Sequence, residues 1–424
     1  MLRNKIINNR YLSQIIILMS GTLAAQAITI IIIPIITRMY SPEEFGEFTL
    51  FYSVVSILGL ISSLKYDQAI MLPRIEKDAK SILLLTWFIN ICIVILVIIC
   101  LSIFHKKLCV YFTTQPFLIW LIPLGVLIFG VLQAIKSYSS RNQLYSILSR
   151  VRVINASVLV SIQSAGREVF NYNSLVFGRL TSDFLSAILL YYKNYKNGLL
   201  SMKGVSINRM LINMKKYAFF PRYQSFTVFI NSISQNAPIL LFTSFYSAEI
   251  AGLYALTVRV LQVPVSLVGA STKEVYYQKA SKMYANGENI FRLYKNTTVA
   301  LGKLFIVPFF IVLLFGDILF EFVFGRDWLL SGNFSQILII WIFLSFINPP
   351  SVISFSILSL QKIQLKLEVV SVIFRIASIA IGYYFYNSVW VSIVLYVITS
   401  VVVNLLLIGI IYSKLKKDGG NHEY

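Results

Sequence analysis

Apolar residues run along this chain in blocks of about 18 to 25, each long enough at about 1.5 Å rise per residue to cross a hydrocarbon layer of about 30 Å. Polar and charged residues collect in the short gaps between blocks. The pattern predicts an all-α polytopic membrane protein with twelve spans, at 12–36, 45–69, 81–104, 116–137, 147–166, 173–192, 222–244, 250–272, 297–322, 334–358, 365–386 and 389–412. The first block follows a basic start, and Ala25-Gln26-Ala27 imitates a leader-cleavage site. Apolar residues nevertheless continue to Ile36, so a retained helix is expected.

The fifth block, SRVRVINASVLVSIQSAG, is short and speckled with polar residues. Charge retains it. With twelve spans and a cytoplasmic start, the clusters Arg74 to Lys80, Lys136 to Arg152, Lys193 to Arg222, Lys273 to Lys303 and Lys414 to Lys417 share one side. The other side receives only Arg38, Lys106, Lys107, Arg167 and Arg326. That asymmetry is the positive-inside pattern, and it puts both termini in the cytoplasm. Deleting the fifth span would move the Lys193 to Arg222 cluster outside.

Composition agrees. With 57% hydrophobic residues, 13% charged residues and a mean hydropathy of +0.76, the chain carries more apolar surface than a soluble core could hide. The formal net charge of +20 would suggest nucleic acid in a soluble protein. Here it reads as topology plus attraction to anionic phospholipids at the cytoplasmic face, with no nucleic acid. Cys92, Cys100 and Cys109 are dispersed, and His105 and His422 are the whole histidine complement. No metal spacing, phosphate-binding glycine loop or catalytic triad is visible, so neither cofactor nor catalytic residue is expected.

The stretch YSPEEFGEFTL at Tyr40 to Leu50 returns as YSAEIAGLYAL at Tyr246 to Leu256. Tyr40/Tyr246, Ser41/Ser247, Glu43/Glu249, Gly46/Gly252 and Leu50/Leu256 coincide. Each copy lies in the bend after the first span of a six-span half. The serines are expected to cap the next helix, with Pro42 at its first position, and Gly46 and Gly252 to let a neighbouring helix approach. Six is even, so both halves enter the membrane in one direction as a parallel repeat flanking a cleft. The expected division is a six-helix bundle at 1–192, a cytoplasmic connector at 193–221, and a second bundle with a basic tail at 222–424.

Charge at bilayer depth is costly and marks candidate sites. Asp183, Arg259 and Arg375 fall near the midplane and Arg179 nearer the surface. Arg179 and Asp183, spaced i, i+4, either neutralise each other or serve gating or ion coupling. Lys65 and Asp67 bracket Tyr66 at the cytoplasmic end of the second span, as an interfacial anchor or a gate. Asp317 and Glu321 read as solvated interface. Thr22, Gln26 and Thr29 form a polar stripe on the first span, and Gln224, Asn231 and Gln235 form another on the seventh. These fit a hydrated path or hydrogen bonds between helices. Pro34, Pro123, Pro238, Pro264, Pro308 and Asn348-Pro349-Pro350 predict kinks.

The segments RMYSPEEFGEFTLFYSVVSILGL, LKYDQAIMLPR, SAEIAGLYALTVRVLQVPVSLVG and LFEFVFGRDW give the chain a further identity. It resembles the polysaccharide transporter, or O-antigen flippase, branch of the multidrug, oligosaccharidyl-lipid and polysaccharide exporter superfamily. The resemblance implies a V-shaped pair of six-helix bundles in the bacterial cytoplasmic (inner) membrane. It implies export of an undecaprenyl-pyrophosphate-linked sugar by alternating access, within O-antigen, lipopolysaccharide or capsule synthesis, with Na⁺ or H⁺ as a coupling ion and polysaccharide assembly proteins as partners. Arg259 and Lys65 would then hold the pyrophosphate and Gln26, Thr29, Asn231 and Gln235 pass the sugar, with Arg375, on a span that the family places away from the cleft, as a further substrate-binding candidate. Many relatives carry an acidic residue mid-way along the seventh span, where this chain has Asn236. The competing readings are a cation-coupled multidrug extruder of the same fold, and a membrane polysaccharide polymerase or ligase, which would usually carry a large outside loop that this chain lacks.

Overall fold

In a computed structural model, the described residues are 2–111, 117–200 and 205–420. His422 and the 201–204 part of the connector lie outside them. The described residues are helical and contain no strand. They divide into two compact units, Met1–Leu240 and Leu241–Tyr424.

Unit 1 comprises α1 (Leu2–Met39), α2 (Pro42–Ile61), α3 (Tyr66–Ala69), α4 (Glu76–Leu108), α5 (Leu118–Arg141), α6 (Tyr145–Ala165), α7 (Arg167–Phe170), α8 (Ser174–Lys196), α9 (Ile207–Lys216) and most of α10 (Ser225–Phe245). Unit 2 comprises α11 (Ala248–Ala285), α12 (Phe291–Phe324), α13 (Leu329–Ile347), α14 (Pro349–Ile357), α15 (Gln361–Tyr384) and α16 (Val389–Gly420). Each expected span contains a helix. Ten helical segments among the described residues are long and apolar enough to cross a membrane, which makes this a multi-pass membrane protein. α10 and α15 are not among those ten. α10 carries Asn231, Gln235 and Asn236, and α15 carries Lys362, Lys366, Glu368 and Arg375.

The repeated bend folds as its sequence directs. Ser41 Oγ accepts the Glu44 N–H at 3.3 Å, and Ser247 Oγ accepts the Ile250 N–H at 3.2 Å. Pro42 opens α2, where its missing N–H is no loss. In unit 1, α5 packs against α2, α4 and α8; in unit 2, α13 packs against α11, α12 and α16. α6 pairs with α8 as α15 pairs with α16. This correspondence accords with the repeat in the sequence. Within unit 1, α1 lies along α6. Gly21 permits the α1–α6 approach, since a Cβ there would stand 2.9 Å from Ser149 Cα.

Two expectations need correction. The second span does not run to 69. It stops at Ile61, where Ser62 Oγ turns back onto the Gly59 carbonyl at 2.9 Å and competes with helix continuation. Leu64 (φ 45°) and Lys65 (φ 61°) follow in the left-handed region, at a cost of order 1–3 kcal/mol each. The tenth span is interrupted where Asn348-Pro349-Pro350 predicts it. α13 ends at Ile347 and α14 restarts at Pro349, because successive prolines cannot extend the preceding ladder. The break in α12 falls at Phe315 (φ −127°, ψ 16°) and not at Pro308. There Gly332 of α13 sits so close that a Cβ would lie 2.5 Å from Asp317 Cα.

Candidate functional site

In unit 2, α11 carries Arg259, Gln262, Ser266 and Lys273 at steps of three, four and seven residues, which sets them on one face. Gln262, Ser266 and Lys273 line a pocket of about 470 Å³, completed by Ser345, Asn348, Pro349 and Asn404. Arg259 lies one helical turn beyond Gln262 and is half-buried. The helix break positions Asn348, whose Nδ2 donates to Asn404 Oδ1 at 2.7 Å. Asn404 Nδ2 donates to the Ser400 carbonyl at 2.8 Å. Asn348 Oδ1 is buried without a hydrogen-bond partner. Behind this wall, Arg375 Nε donates to Ser400 Oγ at 3.0 Å, and its guanidinium stands 5.8 Å from both the Trp341 and Tyr396 ring centroids. Among the described residues Arg375 has no carboxylate partner. The structure therefore links Arg375 to the pocket through Ser400, Asn404 and Asn348.

Unit 1 is built differently inside. Arg179 Nε and Asp183 Oδ2 pair at 2.9 Å, one turn apart on α8. Arg179 Nη2 donates to Tyr52 Oη at 2.9 Å and stacks over that ring at 4.5 Å. Asn155 Nδ2 bridges Asp183 Oδ1 at 3.1 Å and Ser186 Oγ at 2.9 Å. Lys136 lies within electrostatic reach of Asp183, Arg179 and Arg152, and Arg152 donates to Thr22 Oγ1. Several cations thus share the field of one buried carboxylate.

Lys65 and Asp67 form a buried pair at 4.0 Å, 3% and 2% exposed in their side chains. Ser63 Oγ donates to Asp67 Oδ1 at 2.6 Å, and Tyr66 Oη donates to the Met214 carbonyl of α9 at 2.8 Å. These bonds hold the strained turn. Of the polar stripes, Thr22 and Thr29 return hydrogen bonds to their own helix, and Gln26 is half-buried. Asn231 and Gln235 are exposed on one face of α10. Gly46 and Gly252 are both buried. Asp317 accepts from Gln336 at 3.2 Å, and Glu321 pairs loosely with exposed Arg326 at 3.6 Å.

The repeated tyrosines form matching latches. Tyr40 Oη donates to the Gln163 carbonyl at 2.6 Å and meets Ser174 Oγ at 2.6 Å. Tyr246 Oη donates to the Ser388 carbonyl at 3.0 Å and meets Ser392 Oγ at 2.7 Å. Each ties its bend to the start of a later helix, α8 in unit 1 and α16 in unit 2. Burial pushes both phenols above their usual pKa.

Residues 35–333 match the sequence family described as polysaccharide biosynthesis protein. The chain belongs to that family. No curated protein matches the sequence. This polysaccharide biosynthesis protein shares its fold with MOP superfamily transporters. A multidrug resistance MATE family transporter of that superfamily, inward-facing, is similar with a TM-score of 0.74 at 10% identity, over 94% of this chain and 96% of that one. The lipid II flippase MurJ, inward closed, gives 0.73 at 13% identity over 93% and 87%. A MOP superfamily transporter from Pyrococcus furiosus gives 0.61 at 10% identity over 95% and 95%.

Several polar residues of this family member escaped the sequence reading. Lys136, Arg152 and Lys273 were counted only among the charges that set topology; Lys136 and Arg152 fall within the expected fourth and fifth spans, on α5 and α6, and Lys273 lies on α11, which continues past the expected end to Ala285. Gln262 and Ser266 were legible as a continuation of the Arg259 face. Asn348 and Asn404 come together only through the packing of α13 and α14 on α16, which no local pattern announces. No cluster able to hold a metal ion occurs among the described residues.

Proposed function

We propose that this protein is a flippase for an undecaprenyl-pyrophosphate-linked oligosaccharide, an O-antigen or capsule repeat unit, moved from the cytoplasmic to the outer leaflet of the inner membrane by alternating access. One observation carries the reading: a pocket in a membrane-spanning unit where Gln262, Ser266, Ser345, Asn348 and Asn404 are set among the apolar Val265, Ile342 and Val352, with Lys273 at one end. Polar side chains at such depth are costly unless used. Amides and hydroxyls both donate and accept, as sugar hydroxyls require. Lys273 supplies a point charge, and Arg259 a planar fork suited to a pyrophosphate. Gln262, Ser266, Asn348 and Asn404 take the sugar, and Arg375 steadies the wall behind them. Gln26, Thr29, Asn231 and Gln235 extend the sugar's path, Lys65 meets the headgroup, and Asp67, Arg179 and Asp183 act in gating. The six-helix bundles at 1–192 and 222–424, joined by the connector at 193–221, supply the two moving bodies. The family's description and the fold shared with a lipid II flippase support this assignment. Translocation makes and breaks no covalent bond, so the protein acts as a transporter and not as an enzyme.

Asp183, a buried carboxylate, favours a second reading as a Na⁺- or H⁺-coupled extruder of small amphiphiles. Vesicles containing the protein and a fluorescent lipid-linked sugar separate the two. Flipping by the wild type is expected, with Lys273→Gln and Gln262→Leu each slowing it about tenfold, the equivalent of about 1.4 kcal/mol. Both side chains are exposed, so folding is expected to persist. Absence of flipping together with gradient-driven expulsion of amphiphilic cations would establish the extruder.

A further inference from the structure

Unit 1 has a second concavity that transport does not use. It is a groove of about 580 Å³ between α4, α5 and α8, with Trp87, Ile91, Leu127, Phe184 and Tyr191 among its walls. Its lining is apolar apart from aromatic edges, so it offers nothing to a sugar or an ion. Along α8 it runs from Phe184 to Tyr195, a rise of about 16 Å at 1.5 Å per residue. That is close to half of a hydrocarbon layer of about 30 Å, or one leaflet.

One end of the groove is chemically marked. Tyr191, Tyr192 and Tyr195 are 46%, 53% and 66% exposed there, as aromatic residues are at a membrane interface. Trp87 approaches Tyr191 with ring centroids 6.3 Å apart. The last turn of α8 carries Lys193 and Lys196, both exposed. The charge asymmetry of the chain assigns this end to the cytoplasmic side.

We propose that the groove seats one acyl chain of an anionic phospholipid of the cytoplasmic leaflet, with its phosphate held by Lys196, which lies one turn beyond Tyr192 on the same side of α8. The length matches one leaflet, the wall matches hydrocarbon, and the mouth carries the charge opposite to the headgroup. A lipid bound in this way bridges three helices of unit 1, whether or not the unit 2 pocket handles a lipid-linked sugar.

Trp87, one of 5 tryptophans, provides the readout. The full chain is reconstituted in vesicles in which a trace of phosphatidylglycerol or phosphatidylcholine carries bromine mid-chain, and the signal of Trp87→Phe is subtracted to isolate Trp87. Brominated phosphatidylglycerol is expected to quench Trp87 at a concentration at least about fivefold lower than brominated phosphatidylcholine, since each basic residue at the surface contributes about that factor. Lys196→Gln is expected to abolish the preference while quenching by either lipid persists, and Lys193→Gln, on the opposite face of α8, is expected to leave the preference in place. Equal quenching by both lipids in the wild type would reduce the groove to ordinary annular contact and overturn the proposal. Native mass spectrometry gives an independent check. One retained phosphatidylglycerol per chain is expected, whereas a lipid-free dimer lost on Ile91→Trp would assign the groove to a second copy.

Discussion

The two units pack their helices by one scheme but fill their interiors in opposite ways. Unit 1 brings Arg179, Lys136 and Arg152 around Asp183 and ties them down with Tyr52, Asn155 and Thr22. Among the described residues unit 2 leaves Arg375 without a carboxylate, cushions it on Trp341 and Tyr396, and opens a pocket in front of it. Duplication preserved what closes the scaffold, including the tyrosine latches and serine caps. Divergence acted where side chains face inward. An interior whose charged groups are tied to partners suits a body that moves as a block, and an interior with unspent polar groups suits one that holds a ligand.

The comparison is most exposed at Asp183. Asp183→Leu leaves Arg179 and its cationic neighbours without their counter-charge, and losing one partner of a buried pair costs about 3–5 kcal/mol. Thermal unfolding of the purified protein is expected to show this loss, with partial recovery when Arg179→Met is added. Arg375→Met strands no opposite charge, so only about 1–3 kcal/mol of hydrogen bonding and ring contact is lost. Equal costs for Asp183→Leu and Arg375→Met would erase the distinction between the interiors.

The latches come next. Tyr40 is 2% exposed while Tyr246 is half-buried. Tyr40→Phe leaves the Gln163 carbonyl without its donor, at about 1–3 kcal/mol, and Tyr246→Phe is expected to cost less because water can replace the lost partner. Alkaline pH tests the same contacts. A phenol whose pKa is raised on folding contributes stability that is present below its unfolded value near 10 and lost as pH rises through the folded value. Wild-type stability is therefore expected to fall above pH 10, and Tyr40→Phe to fall less steeply over that range.

What the sequence disclosed follows from the range of the interactions. Apolar length and the Tyr40/Tyr246 repeat are local, so the helices and their caps were readable. The i, i+4 spacing of Arg179 and Asp183 was enough to foresee their pairing. The early stop at Ile61 depends on Ser62 and Ser63 bonding backward and forward within one turn, a choice that hydropathy does not register. Lys273 looked like a loop charge because apolar length ends α11 near the membrane surface, whereas the helix itself continues to Ala285. The Asn348–Asn404 contact spans helices far apart in sequence and had no signal.

The caps give the finest test. Around Ser41 the bonds are reciprocal: its Oγ accepts the Glu44 N–H, and Glu44 Oε2 accepts the Ser41 N–H at 2.8 Å while also receiving Arg167 Nη1 at 3.0 Å. Ser247 has Ile250 at the corresponding position and makes only its own half of the arrangement. Replacing a capping serine by alanine costs about 0.5–2 kcal/mol. In unit 1 the Glu44 half survives the change and keeps the Ser41 N–H satisfied, so Ser41→Ala is expected to fall at the low end and Ser247→Ala toward the middle. Glu44→Ala, which removes the return bond and the Arg167 pair together, should exceed Ser41→Ala in thermal unfolding. If Ser41→Ala proved the costlier of those two, the reciprocal bond would contribute little, and the caps of the two units would be energetically alike despite their different sequences.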